Sequence, residues 1–272
     1  MTARLDIIIV NHNTSADLQA CLASLHTAPP AVNHRISVVD NASADDSVAA
    51  VTARWPAVDI VTMDENVGFA AANNIGIRRT SAPLILLLNS DTMVPEAAVD
   101  RLVARLDTTG ASAAGPRLVD ASGRPEISFG SMLSPWAEAR QLVRGRLAAS
   151  RASWARRCVA NLLANEREVD WVSGACLLVR RDAAVAAGLL DERYFMYEED
   201  VDFCAAIRSQ GGRVLFTPAA EVTHLRGRSF GATGRAVSPD YDRSHVRFYE
   251  KHAPRWARLL RAWLRIRGRA IP

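Results

Sequence analysis

Lysine is almost missing from this chain of 272 residues: Lys251 stands alone against 32 arginines. That preference is as readily a mark of genome composition as of phosphate binding, so the choice of arginine carries no functional weight. With 33 basic and 29 acidic residues the formal charge is +4, and where the charges lie matters more than their sum. Cysteine is scarce and scattered. Cys21, Cys158, Cys176 and Cys204 form no CxxC pair, which argues against a zinc knot or disulfide framework and suits a reducing compartment. No stretch reaches the ~18 consecutive apolar residues of a membrane span. Met1 to Arg4 lead straight into a strand pattern with no signal-peptide features, so a cytoplasmic protein, soluble or peripheral on the inner face of the cell membrane, is expected. Also missing are the GxxxxGK[ST] and GxGxxG phosphate-binding fingerprints, any internal repeat and any low-complexity linker. A hydrophobic fraction of 49% is ample for a packed core and argues against disorder.

What is present alternates. Leu5 to Val10, Ile36 to Val39, Val58 to Met63 and Leu84 to Leu88 read as strands. Between and after them, Ser15–Leu25, Ser43–Arg54, Phe69–Arg79 and Pro95–Leu106 read as helices, the first capped by Thr14 or Ser15 and the last opened by its proline. This predicts an α/β fold of βαβ units around a mainly parallel sheet, flanked by helices. Such sheets bind ligands at the carboxyl ends of their strands. Those ends are polar here: Asn11-His12-Asn13, Asp40-Asn41-Ala42-Ser43 and Asn89-Ser90-Asp91. Each alone can be read as helix capping; three on one edge point to a binding cleft.

The second half changes character. Trp136 to Glu168 is arginine-rich and helical in pattern, and Trp171 to Val179 (WVSGACLLV) is an apolar strand with a central glycine. Glu198, Glu199, Asp200 and Asp202 crowd a helix start, where the dipole tolerates negative charge, immediately after Tyr194-Phe195-Met196-Tyr197. That aromatic wall is able to raise a carboxyl pKa by desolvation and prepare a general base. Val214–Phe216 and Glu221–Thr223 read as two short strands before His224. A lone histidine is more often a satisfied core or surface residue than a metal ligand. After it, Arg226, Arg228 and Arg235 with three glycines make a cationic loop able to fold over a diphosphate, or an ordinary solvent loop.

Taken in order, IIIVNHN, VVDNAS, NVGFAAANN, LLLNSDT, WVSGACLLVRR, FMYEEDVDFC and HLRGRS resemble glycosyltransferase family 2, and most its rhamnosyltransferase-like members, over residues 5 to 235. The resemblance implies an inverting enzyme with a GT-A fold. It implies a nucleotide-diphosphate-sugar donor, dTDP-rhamnose favoured over a UDP- or GDP-sugar, and a divalent Mg2+ or Mn2+. On that pattern Asn11 and Asp40 meet the nucleobase and ribose, and Asn66, Gly68 and Asn73 line the donor pocket. Asp91 binds the metal with His224 as co-ligand, Asp200 is the base, and Glu199 positions it or shares its proton. Trp171 and Gly174 flank the acceptor. The departure is Asn89, where the family often carries a first aspartate; a neutral amide cannot replace that charge, so weak intrinsic metal affinity is expected.

Residues 1–240 are expected to form the transferase domain, with a donor-binding half at 1–115 and an acceptor half at 116–240, and residues 241–272 a basic helical appendage. From Arg247 to Arg269 eight basic residues face Glu250 alone, interleaved with Trp256, Leu259, Leu260, Trp263 and Leu264. That composition suits either an interfacial helix on an anionic inner-membrane surface or a helix docked on the domain. A glycan or polyprenyl-diphosphate-linked acceptor, in cell-envelope glycan synthesis, fits the first. A nucleic-acid binder is the competing reading from the arginine clusters, and a catalytically silent sugar-nucleotide binder is another. The βαβ layout argues against the former and the intact acidic cluster against the latter, so no nucleic-acid partner is expected.

Overall fold

β1 (Leu5–Asn11) is buried along its whole length, and its neighbours explain why. In the computed structural model, which describes residues 3–225 and 239–269, β1 leads into α1 (Ser15–Thr27), β2 (His34–Asp40), α2 (Ser47–Arg54) and β3 (Asp59–Thr62). α3 (Phe69–Arg79), β4 (Leu84–Asn89), β5 (Thr92–Met93), α4 (Ala98–Thr109) and β6 (Ala113–Val119) follow. The chain continues through β7 (Phe129–Gly130), α5 (Pro135–Ala149), α6 (Ser153–Leu163), β8 (Arg167–Val169), β9 (Trp171–Val172) and β10 (Cys176–Arg180). Last come α7 (Arg181–Ala186), α8 (Glu199–Ser209), β11 (Val214–His224), α9 (Pro239–His252) and α10 (Pro254–Ile266).

The main sheet runs β3-β2-β1-β4-β10-β6-β11-β5, with β8 paired to β11 and a separate β7–β9 pair. β3, β2, β1 and β4 are parallel, as are β6 and β11, while β10 runs antiparallel between β4 and β6. Alternation along β4 feeds two cores. Leu84, Leu86 and Leu88 join the layer under α1 and α4; Ile85 and Leu87 join the layer under α3 and α8. A parallel strand covered on both faces reads as an unbroken apolar run, the pattern seen here.

Four local expectations need correction. α2 starts at Ser47, because the Ser43 hydroxyl is taken up by Asn11 and the Asn13 amide and Ala42 is left-handed (φ 60°). α4 starts at Ala98, after a turn in which the Ala98 amide donates to the Pro95 carbonyl and Ala97 is left-handed. The WVSGACLLV segment is two strands broken at Ser173–Ala175, and residues 214–224 are one strand with its register interrupted between Thr217 and Glu221, around Pro218. The cationic loop expected after His224 lies, from Arg226 on, outside the described residues. The boundary expected between 240 and 241 falls inside α9.

One buried ion pair ties the sheet to α7. Asp6, fully buried, accepts from the Ala82 amide (2.6 Å) and from Arg181 Nη2 (3.0 Å); Arg181 also donates to the carbonyls of Ala82 and Ile77. Without Arg181 the buried carboxylate keeps only the Ala82 amide and the more exposed Arg35, whose Nε lies 3.6 Å from Asp6 Oδ1, so Arg181→Met is expected to lower unfolding free energy by about 3 kcal/mol, measurable by urea denaturation.

Candidate active site

The polar strand ends are knitted together. Asn11 is fully buried; its Nδ2 donates to Asp40 Oδ1 and Ser43 Oγ, both at 3.0 Å, and its Oδ1 accepts from Thr14 Oγ1 at 2.6 Å. Thr14 caps α1 by position but not by side chain, because its hydroxyl turns to Asn11 and to Ser90 Oγ, 2.9 Å away. The ends of β1, β2 and β4 therefore form one network, which simple capping does not produce. Asn41 extends it, donating to Asn66 Oδ1 (2.8 Å) and accepting from the Val67 amide (2.9 Å). Gly68 has φ 87°, and a Cβ there would sit 2.6 Å from the Phe195 carbonyl oxygen, which accepts from the Phe69 amide at 2.7 Å. The glycine does permit a close backbone approach, and here the partner is Phe195. Asn73 donates to the Phe69 carbonyl, and its Oδ1 is buried without a hydrogen-bond partner.

Beyond β4, Asp91 lies buried with its Oδ1 3.3 Å from His224 Nε2, at the end of β11. His224 Nδ1 faces Glu126 Oε2 at 3.2 Å. Burial opposes the imidazolium, but the hydrogen bonds to Asp91 and Glu126 prevail and lift the His224 pKa to about 9. Glu126 lies in the connection after β6, where nothing local in GRPEISF marks it. Only the long-range pairing of β11 with β6 brings it to the histidine. Asn89 keeps a buried Oδ1 with no hydrogen-bond partner. Carboxylate and orphaned amide oxygen suit a divalent cation, and His224 joins them as a ligand once its ring gives up a proton. Among the described residues no three His, Cys, Asp or Glu side chains are gathered to hold an ion, so these side chains alone leave the shell incomplete.

The third group surrounds α8. The Asn89 amide donates to the Ala175 carbonyl (3.0 Å), and next door the Gly174 amide donates to Asp200 Oδ2 (2.7 Å), so the β4 end and Asp200 share the β9–β10 break. Burial raises the Asp200 pKa to about 6, against the Gly174 hydrogen bond that lowers it and with help from Glu198. Glu199 is more deeply buried, is pushed well above the ordinary carboxylate range by burial and then by Asp200, and has no partner for Oε2. Tyr197 and Glu198 are both left-handed (φ 71° and 65°), a strained step of the kind that collects at functional sites. Trp171, on the strand leading to Gly174, donates through Nε1 to the Ser131 carbonyl at 3.0 Å. Asp202 leaves the cluster: Lys251 Nζ (2.8 Å) and His252 Nε2 (2.6 Å) hold it from α9.

The ends of β1, β2 and β4, the buried Asp91 just beyond β4 and the raised carboxyl of Asp200 at the start of α8 thus gather at one edge of a mainly parallel sheet. The model of the glycosyl transferase family 2 domain matches residues 6–170. An N-acetylglucosaminyl-diphospho-decaprenol L-rhamnosyltransferase of Mycobacterium tuberculosis is 30% identical over 97% of this chain and 90% of its own length. The chain belongs to glycosyltransferase family 2, among its rhamnosyltransferase-like members, and is an enzyme of hexosyl transfer. Solved structures agree on the fold alone. GalNAc-T7 with UDP, GalNAc and Mn2+ superposes with TM-score 0.66 at 17% identity, covering 92% of this chain and 48% of that one. Staphylococcus aureus TarS with UDP-GlcNAc gives 0.61 at 14%, over 92% and 66%.

Proposed function

We propose that the chain is an inverting rhamnosyltransferase that moves L-rhamnose from dTDP-rhamnose to an N-acetylglucosaminyl-diphospho-polyprenol or a related lipid-linked glycan. The observation that carries this reading is Asp200: a partly exposed carboxyl, fixed by the Gly174 amide and raised toward neutrality, beside the polar ends of a parallel sheet. The relative's acceptor and its 30% identity along nearly the whole chain supply the substrate class.

In this reading Asp200 accepts the proton of the acceptor hydroxyl as its oxygen forms a bond to the anomeric carbon. The bond from that carbon to the diphosphate breaks in the same displacement, the nucleoside diphosphate leaves with the electron pair, and the configuration inverts. Glu199 borders the base and positions it or shares its proton. Asp40, held by Asn11, and the Asn66–Gly68 turn form the nucleoside side, and Asn73 offers an unsatisfied oxygen there. Asp91 and His224 would hold Mg2+ or Mn2+, which would supply charge neutralisation for the diphosphate. Trp171 and Gly174 flank the acceptor.

Glu126 then acts through His224, accepting from Nδ1 so that Nε2 points to Asp91, the carboxylate–histidine arrangement common in metal sites. Glu126→Gln is expected to weaken Mn2+ binding about 10- to 100-fold, read by calorimetry in the presence of donor.

The donor assignment is tested by thermal shift and hydrolysis across dTDP-, UDP- and GDP-sugars, with and without Mn2+. Stabilisation and turnover by dTDP-rhamnose are expected; a response to UDP-sugars alone would overturn the rhamnosyl reading while sparing the family.

Contact with an anionic membrane surface belongs to the same reading. No helix among the described residues is long and apolar enough to cross a membrane. α10 buries Ala257 and Leu264, leaves Trp256, Leu259, Trp263 and Ile266 exposed, and contains no acidic residue. Replacing those four by serine is expected to cut sedimentation with anionic liposomes by at least about tenfold, since each buried side chain of this kind contributes roughly 1.5–3 kcal/mol. Equal binding by the variant would remove α10 from the reading.

A further inference from the structure

α9 is more than an appendage to the transferase domain, because it grips the segment that carries the base. Ser244 Oγ donates to the Met196 carbonyl at 2.7 Å. His245 Nδ1 lies 3.0 Å from Glu198 Oε1, and Lys251 and His252 hold Asp202 at the far side of the turn. His245 is itself buried, and its Nε2 lies 3.3 Å from Glu138 Oε2 on α5; Tyr249 donates to the other Glu138 oxygen. The Tyr241 ring stacks on the imidazole with centroids 5.4 Å apart.

We propose that His245 is a positioning residue for transfer: wedged between Glu198 and Glu138, it ties α9 and α5 to the left-handed Tyr197–Glu198 step and so fixes where Glu199 and Asp200 present their carboxyls. Three physical arguments support this. Two consecutive left-handed non-glycine residues hold only when their surroundings over-determine them, and the His245–Glu198 contact acts on the second of them directly. A carboxylate buried one residue from Glu199 and two from Asp200 raises the proton affinity of both, and a cation facing that carboxylate limits the rise. His245 is that cation: burial opposes its charge, but Glu138 and Glu198 lift its pKa to about 9. The groups around Asp200 and His245 are Glu198 and Glu199 on the turn, with Tyr197 beside Glu199, Glu138 on α5, and Tyr241 and Tyr249 on α9.

This rests on Asp200 being the base, and the test separates the two. In the full chain, the 13C resonance of the Asp200 carboxyl, assigned by Asp200→Asn, is titrated without substrates. His245→Gln is expected to move its midpoint upward, and His245→Gln with Glu198→Gln to reverse the move; Glu138→Gln provides a second route should His245→Gln fold poorly. With dTDP-rhamnose and a lipid-linked acceptor, His245→Gln is expected to lower kcat about 10- to 100-fold while donor KM stays within about twofold. A merely structural histidine would behave like Lys251→Met, lowering the melting temperature with the Asp200 titration unmoved; that result for His245→Gln overturns the proposal. A donor or acceptor reading that fails leaves the titration to decide.

Discussion

Asp91→Ala is expected to lower turnover by about a thousandfold or more, because in the proposed role its metal neutralises a departing diphosphate, worth several kcal/mol, and each ~1.4 kcal/mol is a factor of ten. The aspartate is the one carboxylate at the end of β4, is buried, and already faces His224. Its neighbour at 89 is a neutral amide, so no second acid on that strand end compensates. Asn89→Asp should be mild, changing turnover by less than about tenfold, since the diphosphate itself brings the missing negative charge to the ion. Calorimetric titration of Mn2+ with donor present separates lost ion binding from a folding defect. Near-normal, metal-dependent activity in Asp91→Ala would mean that the ion is held elsewhere.

With Asp200 as the proposed proton acceptor, Asp200→Asn should cost about 10²–10⁴ in kcat, with donor affinity little changed because the loss falls on the transition state. The pH dependence has a defined sign. The base works only deprotonated, and burial sets its pKa near 6, so activity is expected to rise through about pH 6 as protons leave and to fall below it. The Asn variant should lose that limb while retaining its fold, since amide Oδ1 still accepts from Gly174. An unchanged acidic limb in Asp200→Asn would assign the limb to another group, Glu199 first.

Much of this was legible in the chain. The unbroken apolar run Leu84–Leu88, with polar residues closing it, is what a parallel strand covered on both faces requires, and the structure has that strand between β1 and β10. The acidic cluster after an aromatic run is visible as composition, but of that run only Tyr194 joins a buried cluster, with Val201 and Phe248, while Phe195 is exposed, so the burial that raises Glu199 was not readable from the run itself. What stayed hidden depends on distance along the chain. Glu126 meets His224 across 98 residues and His245 meets Glu198 across 47, and neither pairing leaves a local pattern. Capping misled for a related reason: Thr14 and Ser43 are good cap residues, but their hydroxyls serve Asn11 once the strands are assembled, so one helix lacks its side-chain cap and the other starts late. The basic C-terminal segment carried two readings at once: α9 docks through His245, Phe248 and Tyr249, and α10 buries Ala257 and Leu264 while keeping Trp256, Leu259, Trp263 and Ile266 exposed.

The central claim, a single displacement assisted by one base, is tested most directly by the anomeric configuration of the product, read by 1H NMR after transfer from dTDP-rhamnose to a lipid-linked N-acetylglucosaminyl acceptor. The account predicts a linkage of configuration opposite to the donor's, formed by the wild-type chain and lost in Asp200→Asn. A product of retained configuration, or inverted product formed at full rate by Asp200→Asn, would contradict it.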